Sequence, residues 1–200
     1  ATSTDLSPNT EAAPITEAVS WIARATQEPN WSSVNPTHDP NKGKIITNKE
    51  VDNSNKFDRF TVVHTGAPTT ERGLRQIIDC FSSLKSLDSS IRFLNIGVSE
   101  KNERMLKDLI QKEGLDDNFD YKTQVSPEEL SFYLSRCHVG LSLLENKGYY
   151  KTSPPQKLFE YFALALPVIA NDIPTNTQYV SNLRNGLIID YNSKDLVSSI

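Results

Sequence analysis

Lys157 and Glu160 stand three positions apart in the stretch Ser153-Pro154-Pro155-Gln156-Lys157-Leu158-Phe159-Glu160-Tyr161-Phe162-Ala163. On a helix that spacing puts a cation and a carboxylate on one face. Glu160 is flanked by Leu158, Phe159, Tyr161 and Phe162, and a carboxylate in such apolar company needs polar partners. Two adjacent hydroxyls of a ribose, read by one bidentate carboxylate, would supply them, and Lys157 could then face a phosphate. The same spacing also suits a plain ion pair on a helix surface, worth roughly a few tenths of a kcal/mol. The Ser153-Pro154-Pro155 loop favours the first reading, because it leaves backbone amides at the helix start without partners.

A second candidate is Gly66-Ala67-Pro68-Thr69-Thr70-Glu71-Arg72-Gly73. It reads as a strand end, a short loop and a helix start carrying Arg72. A helix start presents amides and a partial positive charge, and a guanidinium there forks onto phosphate oxygens. A tight turn with a solvated arginine is the plainer alternative. Tyr149-Tyr150-Lys151-Thr152-Ser153 is either a surface loop or one wall of a pocket. His64 reads as a core or supporting histidine and His138 as structural, and nothing attaches to His38.

These residues need a frame that brings them together. Runs ending at glycine predict strands over Phe60–Gly66 and Ile91–Gly97, followed by Phe119–Lys122, Val139–Leu144, Pro167–Ala170 and Gly186–Asp190. Helical periodicity falls between them. Arg72–Leu87 carries Leu74, Ile77, Ile78, Phe81 and Leu84 on one face. Glu100–Glu113 stops at Gly114, and a helix begins at Ser126-Pro127-Glu128-Glu129 with cap, proline and acids in order. Further helices are predicted over Pro155–Ala165 and Asn176–Val180, with another around Ser193–Val197. Alternating strands and helices predict a parallel sheet covered on both faces. Right-handed crossovers then put every strand's carboxyl end on one edge, where Gly66, Gly97, Leu144 and Ala170 are expected to converge.

Before residue 57 the chain is different in kind. Residues 1–56 are rich in Pro, Asn, Ser, Thr and Asp, with one plausible helix over Ile15–Ala25 and a short strand at Lys44–Asn48. The expected organisation is a polar, irregular segment over 1–56 and one α/β domain over 57–200, cut short at its C-terminal end. A net charge of −4 over 200 residues offers no basic footprint for nucleic acid. No run approaches the roughly 20 apolar residues of a membrane span. Cys80 and Cys137 lie inside apolar patterns and read as buried free thiols of a reducing, cytoplasmic compartment. No Cys/His spacing suits zinc.

The pattern from about Phe60 to Ile200 resembles the donor-binding, C-terminal half of a GT-B glycosyltransferase of the family 4 (group 1) type. The resemblance is carried by Val63-His64-Thr65-Gly66 with Arg72-Gly73, by Leu94-Asn95-Ile96-Gly97 and by Val139-Gly140-Leu141-Ser142-Leu143. Its most specific block runs from Lys157 through Ala170, and Asn185-Gly186-Leu187 completes it. It implies a Rossmann-like fold and transfer of a sugar from a nucleoside diphosphate sugar with retention of configuration. It further implies that Glu160 holds the ribose, that Arg72 and Lys157 neutralise the diphosphate, and that Gly66, Ala67, Gly97, Ser153, Pro154 and Leu158 complete the donor site. No metal or other cofactor is implied. The acceptor would be a carbohydrate, lipid or small molecule held by an N-terminal half that is not recognisable here, so the isolated chain is expected to be inactive. Peripheral membrane association of the whole protein is a further expectation. The chain departs from the family where a first glutamate is common (Thr152), where arginine often follows the first glycine (Ala67), and at Thr123 and Leu166, where glycines are usual. Those departures leave a non-catalytic nucleotide-binding or regulatory subunit as the alternative.

Overall fold

The structure is a computed structural model and describes residues 55–181 and 184–200. The helix expected at 15–25 and the strand at 44–48 lie outside the described residues. Six strands form one sheet: β1 (Thr61–Thr65), β2 (Arg92–Ile96), β3 (Phe119–Lys122), β4 (Val139–Ser142), β5 (Val168–Asn171) and β6 (Gly186–Ile189). Between them run α1 (Leu74–Leu87), α2 (Glu100–Lys112), α3 (Pro127–Arg136), α4 (Gln156–Ala163) and α5 (Pro174–Thr177), and α6 (Ser193–Ser199) follows β6.

All strand pairs are parallel, in the order β3-β2-β1-β4-β5-β6. Successive strand side chains point to opposite faces, and both faces are covered. Val62, Phe93, Leu141 and Ile169 join α1, α2 and α6 in one core layer with Phe81, Leu106 and Phe119. Val63, Leu94, Val168 and Ala170 join α3 and α4 in the other, with Leu134, Leu158 and Tyr161. That double burial explains the near-continuous apolar strands.

The chain reverses its direction of winding between β1 and β4. In open α/β sheets this switch point leaves a crevice above the strand carboxyl ends. Local chemistry sets the element ends around it. Gly73, at φ 78, separates a 3-10 turn (Thr70–Arg72) from α1, so the helix predicted from Arg72 begins two residues later. Ser126 and Glu129 form a reciprocal capping box at the start of α3. Helix α4 ends at Ala163 rather than Ala165, because Ala165 turns left-handed at φ 51. Pro174 starts α5 two residues before the predicted position. Among the described residues no helix is long and apolar enough to cross a membrane.

Candidate functional site

A cleft of about 480 Å³ opens at the switch point. Gly66 and Arg72 line it from the loop after β1, Gly97 from the loop after β2, and Gln124 and Val125 from the loop after β3. Leu144, Tyr149 and Tyr150 come from the segment after β4, and Ser153, Pro154, Lys157 and Glu160 from the start of α4. Leu158 and Ala67 do not line it. Leu158 is fully buried in the core, and its amide already donates to the Pro155 carbonyl at 3.1 Å. Ala170 is likewise buried in β5 and lies off the cleft, so the expected convergence holds for Gly66, Gly97 and Leu144 alone.

Two glycines permit the close approach of the β1 and β2 loops. Gly66 has φ 107 and Gly97 φ 99, values that L side chains rarely adopt. A Cβ on Gly97 would lie 3.3 Å from the Gly66 backbone, and one on Gly66 would lie 2.4 Å from Arg72 Nη1. The Arg72 guanidinium thus occupies the space that a side chain at position 66 would take. Arg72 Nε reaches the Tyr150 hydroxyl at 3.4 Å, and Thr175 Oγ1 donates to the Tyr150 carbonyl at 2.6 Å, tying that loop to α5.

Lys157 and Glu160 both face the cleft, but they are not paired with each other. Glu160 is half-buried and accepts from Gln156 Nε2 at 3.0 Å. Burial raises its carboxyl above the usual range, opposed by Gln156 and Lys157. Lys157 is 7% exposed, and its Nζ lies 2.6 Å from His64 Nε2. Burial pushes its ammonium well below the usual lysine range, the Arg72 charge pushes it further, and Glu160 opposes. His64 is held well below 6.5 by burial first and by Lys157 second. Two basic side chains, Arg72 and Lys157, therefore line one cleft together with Glu160, and among the described residues neither of them forms an ion pair. Pro155 stands at the N-cap of α4 with no side-chain cap, so the helix start opens on the same space.

The supports lie deeper. Tyr161, fully buried, accepts from the Thr65 amide at 3.0 Å and fixes α4 to the end of β1. Gly140 leaves the room for its ring, since a Cβ there would come within 2.5 Å of Tyr161 Cδ2. Asn171 bonds both the amide and the carbonyl of Leu144, at 2.8 and 2.9 Å. Asn176 donates to the carbonyls of Ser142 and Asn171, both at 3.0 Å. Sequence reasoning missed Asn95, Asn171, Asn176 and Gln156 as organisers of this edge. Asn95 alone stands out, as one polar residue between Leu94 and Ile96; Gln156, Asn171 and Asn176 each have a polar neighbour that hides them. His138 is structural, as expected: its Nδ1 accepts from the Thr61 amide at 3.0 Å and its ring stacks on Phe60. Among the described residues no three His, Cys, Asp or Glu side chains converge as a metal ligand set.

Residues 46–200 match the family profile of the group 1 glycosyl transferases. The chain belongs to that family. No curated protein sequence matches it. Among solved structures it is similar to sucrose-phosphate synthase from Thermosynechococcus elongatus, with 19% identity and a TM-score of 0.61 over 71% of this chain and 35% of that one. It is similar to the pneumococcal O-GlcNAc transferase GtfA, solved with UDP and GlcNAc, with 19% identity and a TM-score of 0.59 over 74% of this chain and 28% of that one. It also resembles the C-terminal domain of LpcC, a group 1 family protein of Francisella tularensis, with 14% identity and a TM-score of 0.57 over 69% and 71% of the two chains. Those likenesses establish the fold, a Rossmann-like half of the GT-B type. The chain spans about a third or less of the first two of these proteins.

Proposed function

We propose that the cleft binds the nucleoside diphosphate of an activated sugar, and that the protein transfers the sugar to an acceptor with retention of configuration. The observation that carries this reading is the meeting of two basic side chains, Arg72 and Lys157, neither in an ion pair among the described residues, with the start of α4 around one cleft. A diphosphate fits that field: the guanidinium offers a fork, the ammonium a point charge, and the helix start its amides. The diphosphate's charge also opposes the burial, and after it the Arg72 charge, that depress the Lys157 ammonium. Glu160, hydrogen-bonded to Gln156 among the described residues, retains acceptor capacity for the two ribose hydroxyls. When the bond from the anomeric carbon to the diphosphate breaks, negative charge grows on the departing phosphate oxygen. Fixed cations aimed at that oxygen stabilise the transition state more than the ground state. In this reading Arg72 and Lys157 do this without a metal ion, and the acceptor's oxygen forms the new bond on the face the diphosphate leaves, its proton passing to the departing phosphate oxygen. The acceptor surface belongs to another part of the protein, so this chain alone binds donor and transfers little sugar.

Titration calorimetry of the 200-residue chain with UDP, GDP and ADP tests the reading, with Glu160→Ala as the control. At least one nucleotide binds, and the variant loses about ten- to hundred-fold in affinity, as loss of a charge-assisted contact predicts. Absence of binding by all three at millimolar concentration would overturn it.

A further inference from the structure

A single polar relay crosses the sheet edge beneath the cleft. Asn95 Nδ2 donates to the Gly66 carbonyl at 3.1 Å. A carbonyl can only accept, so the amide orientation is fixed and Asn95 Oδ1 is left facing His64 Nδ1 at 3.0 Å. That oxygen also only accepts, so Nδ1 must carry the imidazole proton. Nε2 is then a bare lone pair, and Lys157 Nζ lies 2.6 Å from it. Every direction in the chain is determined: Lys157 donates to His64, His64 to Asn95, and Asn95 to Gly66. The relay joins β1, β2 and α4, elements whose residues stand 31 and 93 positions apart. His64 and Asn95 are each 1% exposed, so neither has water as a substitute partner.

We propose that His64 is a positioning residue for Lys157: its Nε2 takes one ammonium hydrogen and thereby aims the remaining donors into the cleft. The proposal rests on reading the cleft as a diphosphate site. Lysine is a compact charge on a flexible four-carbon stem. Without a fixed acceptor at its base, the ammonium would be free to turn toward Glu160, three positions along the same helix. The relay's other end is the carbonyl of Gly66, the residue over which Arg72 lies. Both cations are thereby registered to one strand end.

His138 supplies an internal control. Its Nδ1 accepts from the Thr61 amide, so the two histidines must hold opposite tautomers. Nitrogen-15 spectra of the ligand-free chain near neutral pH decide the first point, with His64 assigned by its loss in His64→Gln. The expected result is a bare Nε2 at His64 and a bare Nδ1 at His138. A bare Nδ1 at His64, or a doubly protonated ring, overturns the proposal whether or not any nucleotide binds. Calorimetry with UDP, GDP and ADP decides the second point. His64→Leu removes the acceptor and lowers the affinity of whichever nucleotide binds by about tenfold or more, the loss expected for one charge-assisted hydrogen bond. His64→Gln keeps an acceptor and restores most of that affinity. Lys157→Met weakens binding in the parent chain but adds little in the His64→Leu background, because the ammonium there is already misdirected. Full additivity of the two substitutions refutes positioning. If the parent chain binds none of the three nucleotides, the functional reading fails, and the tautomer measurement still decides the role of His64.

Discussion

Replacing Gly66 by alanine separates the backbone of the cleft from its charge. At φ 107 an alanine is held in a region that L residues avoid, and such strain costs about 1–3 kcal/mol. The new Cβ would also meet Arg72 Nη1 at 2.4 Å. That clash is relieved cheaply, because the atom is the far end of a flexible side chain whose hydrogen bond to Tyr150 is long, at 3.4 Å. The stability cost therefore comes from the backbone and the binding cost from the displaced guanidinium. In a domain of this size the strain lowers Tm by about 2–12 °C. Displacing Arg72 weakens nucleotide binding by about ten- to hundred-fold, the same range as Arg72→Ala. The signature is a split double-mutant cycle. In the Arg72→Ala background, Gly66→Ala still costs its full stability, yet removes little further affinity. Urea unfolding followed by circular dichroism measures the first quantity and calorimetry the second. Affinity losses that add fully would show that Arg72 does not act from its place over Gly66. An unchanged Tm would refute the strain argument.

Three further outcomes are expected. Gly140→Ala drives a Cβ to within 2.5 Å of the boxed-in Tyr161 ring, and overpacking of this kind costs about 1–3 kcal/mol; a urea midpoint equal to that of the parent would contradict it. Acid destabilises the domain early. Burial holds His64 well below 6.5 and His138 at about 4, so the unfolded chain binds more protons as soon as pH drops below the unfolded value. Their contribution is complete above about pH 6.5 and is lost as pH falls through the folded values. Unfolding midpoints at about pH 7.5 and pH 5 should differ in that direction, and His138→Gln should flatten the slope. Cys80 and Cys137 are fully buried and their thiols are raised by burial, Cys137 to about 12. Thiol reagents should label neither in the folded chain and both in urea, and rapid labelling of the native protein would place one of them at the surface.

The sheet and most of its helices were legible because both faces are buried. That burial writes apolar runs into β1, β2 and β4, and glycines punctuate the ends of β1 and β2. The cleft residues Gly66, Arg72, Gly97, Lys157 and Glu160 were legible because a charge or a glycine interrupts an apolar pattern. What was not legible is who touches whom. The sequence places Lys157 on one helix face with Glu160 and aims it at a phosphate, but nothing in it announces the contact with His64, 93 positions away. Spacing along a helix reports only local pairs, and the crossover topology decides the rest. Leu158 lies in the core rather than the cleft for a related reason: on a short helix packed on the sheet, one step along the chain moves a side chain from cleft to core. The Tyr150 contact with Arg72 depends on a 3-10 turn at Gly148–Lys151, and that stretch carries no period to announce it.

Gly97 leaves no room for a Cβ against the Gly66 backbone, and Arg72 lies over Gly66 in turn. A side chain at position 97 would press on the neighbouring loop and, through it, shift a guanidinium it never meets. Transplanting the arginine alone into another scaffold of this shape would therefore not reproduce its aim. The smallest portable unit is the pair of bare loop ends together with the cation laid across them.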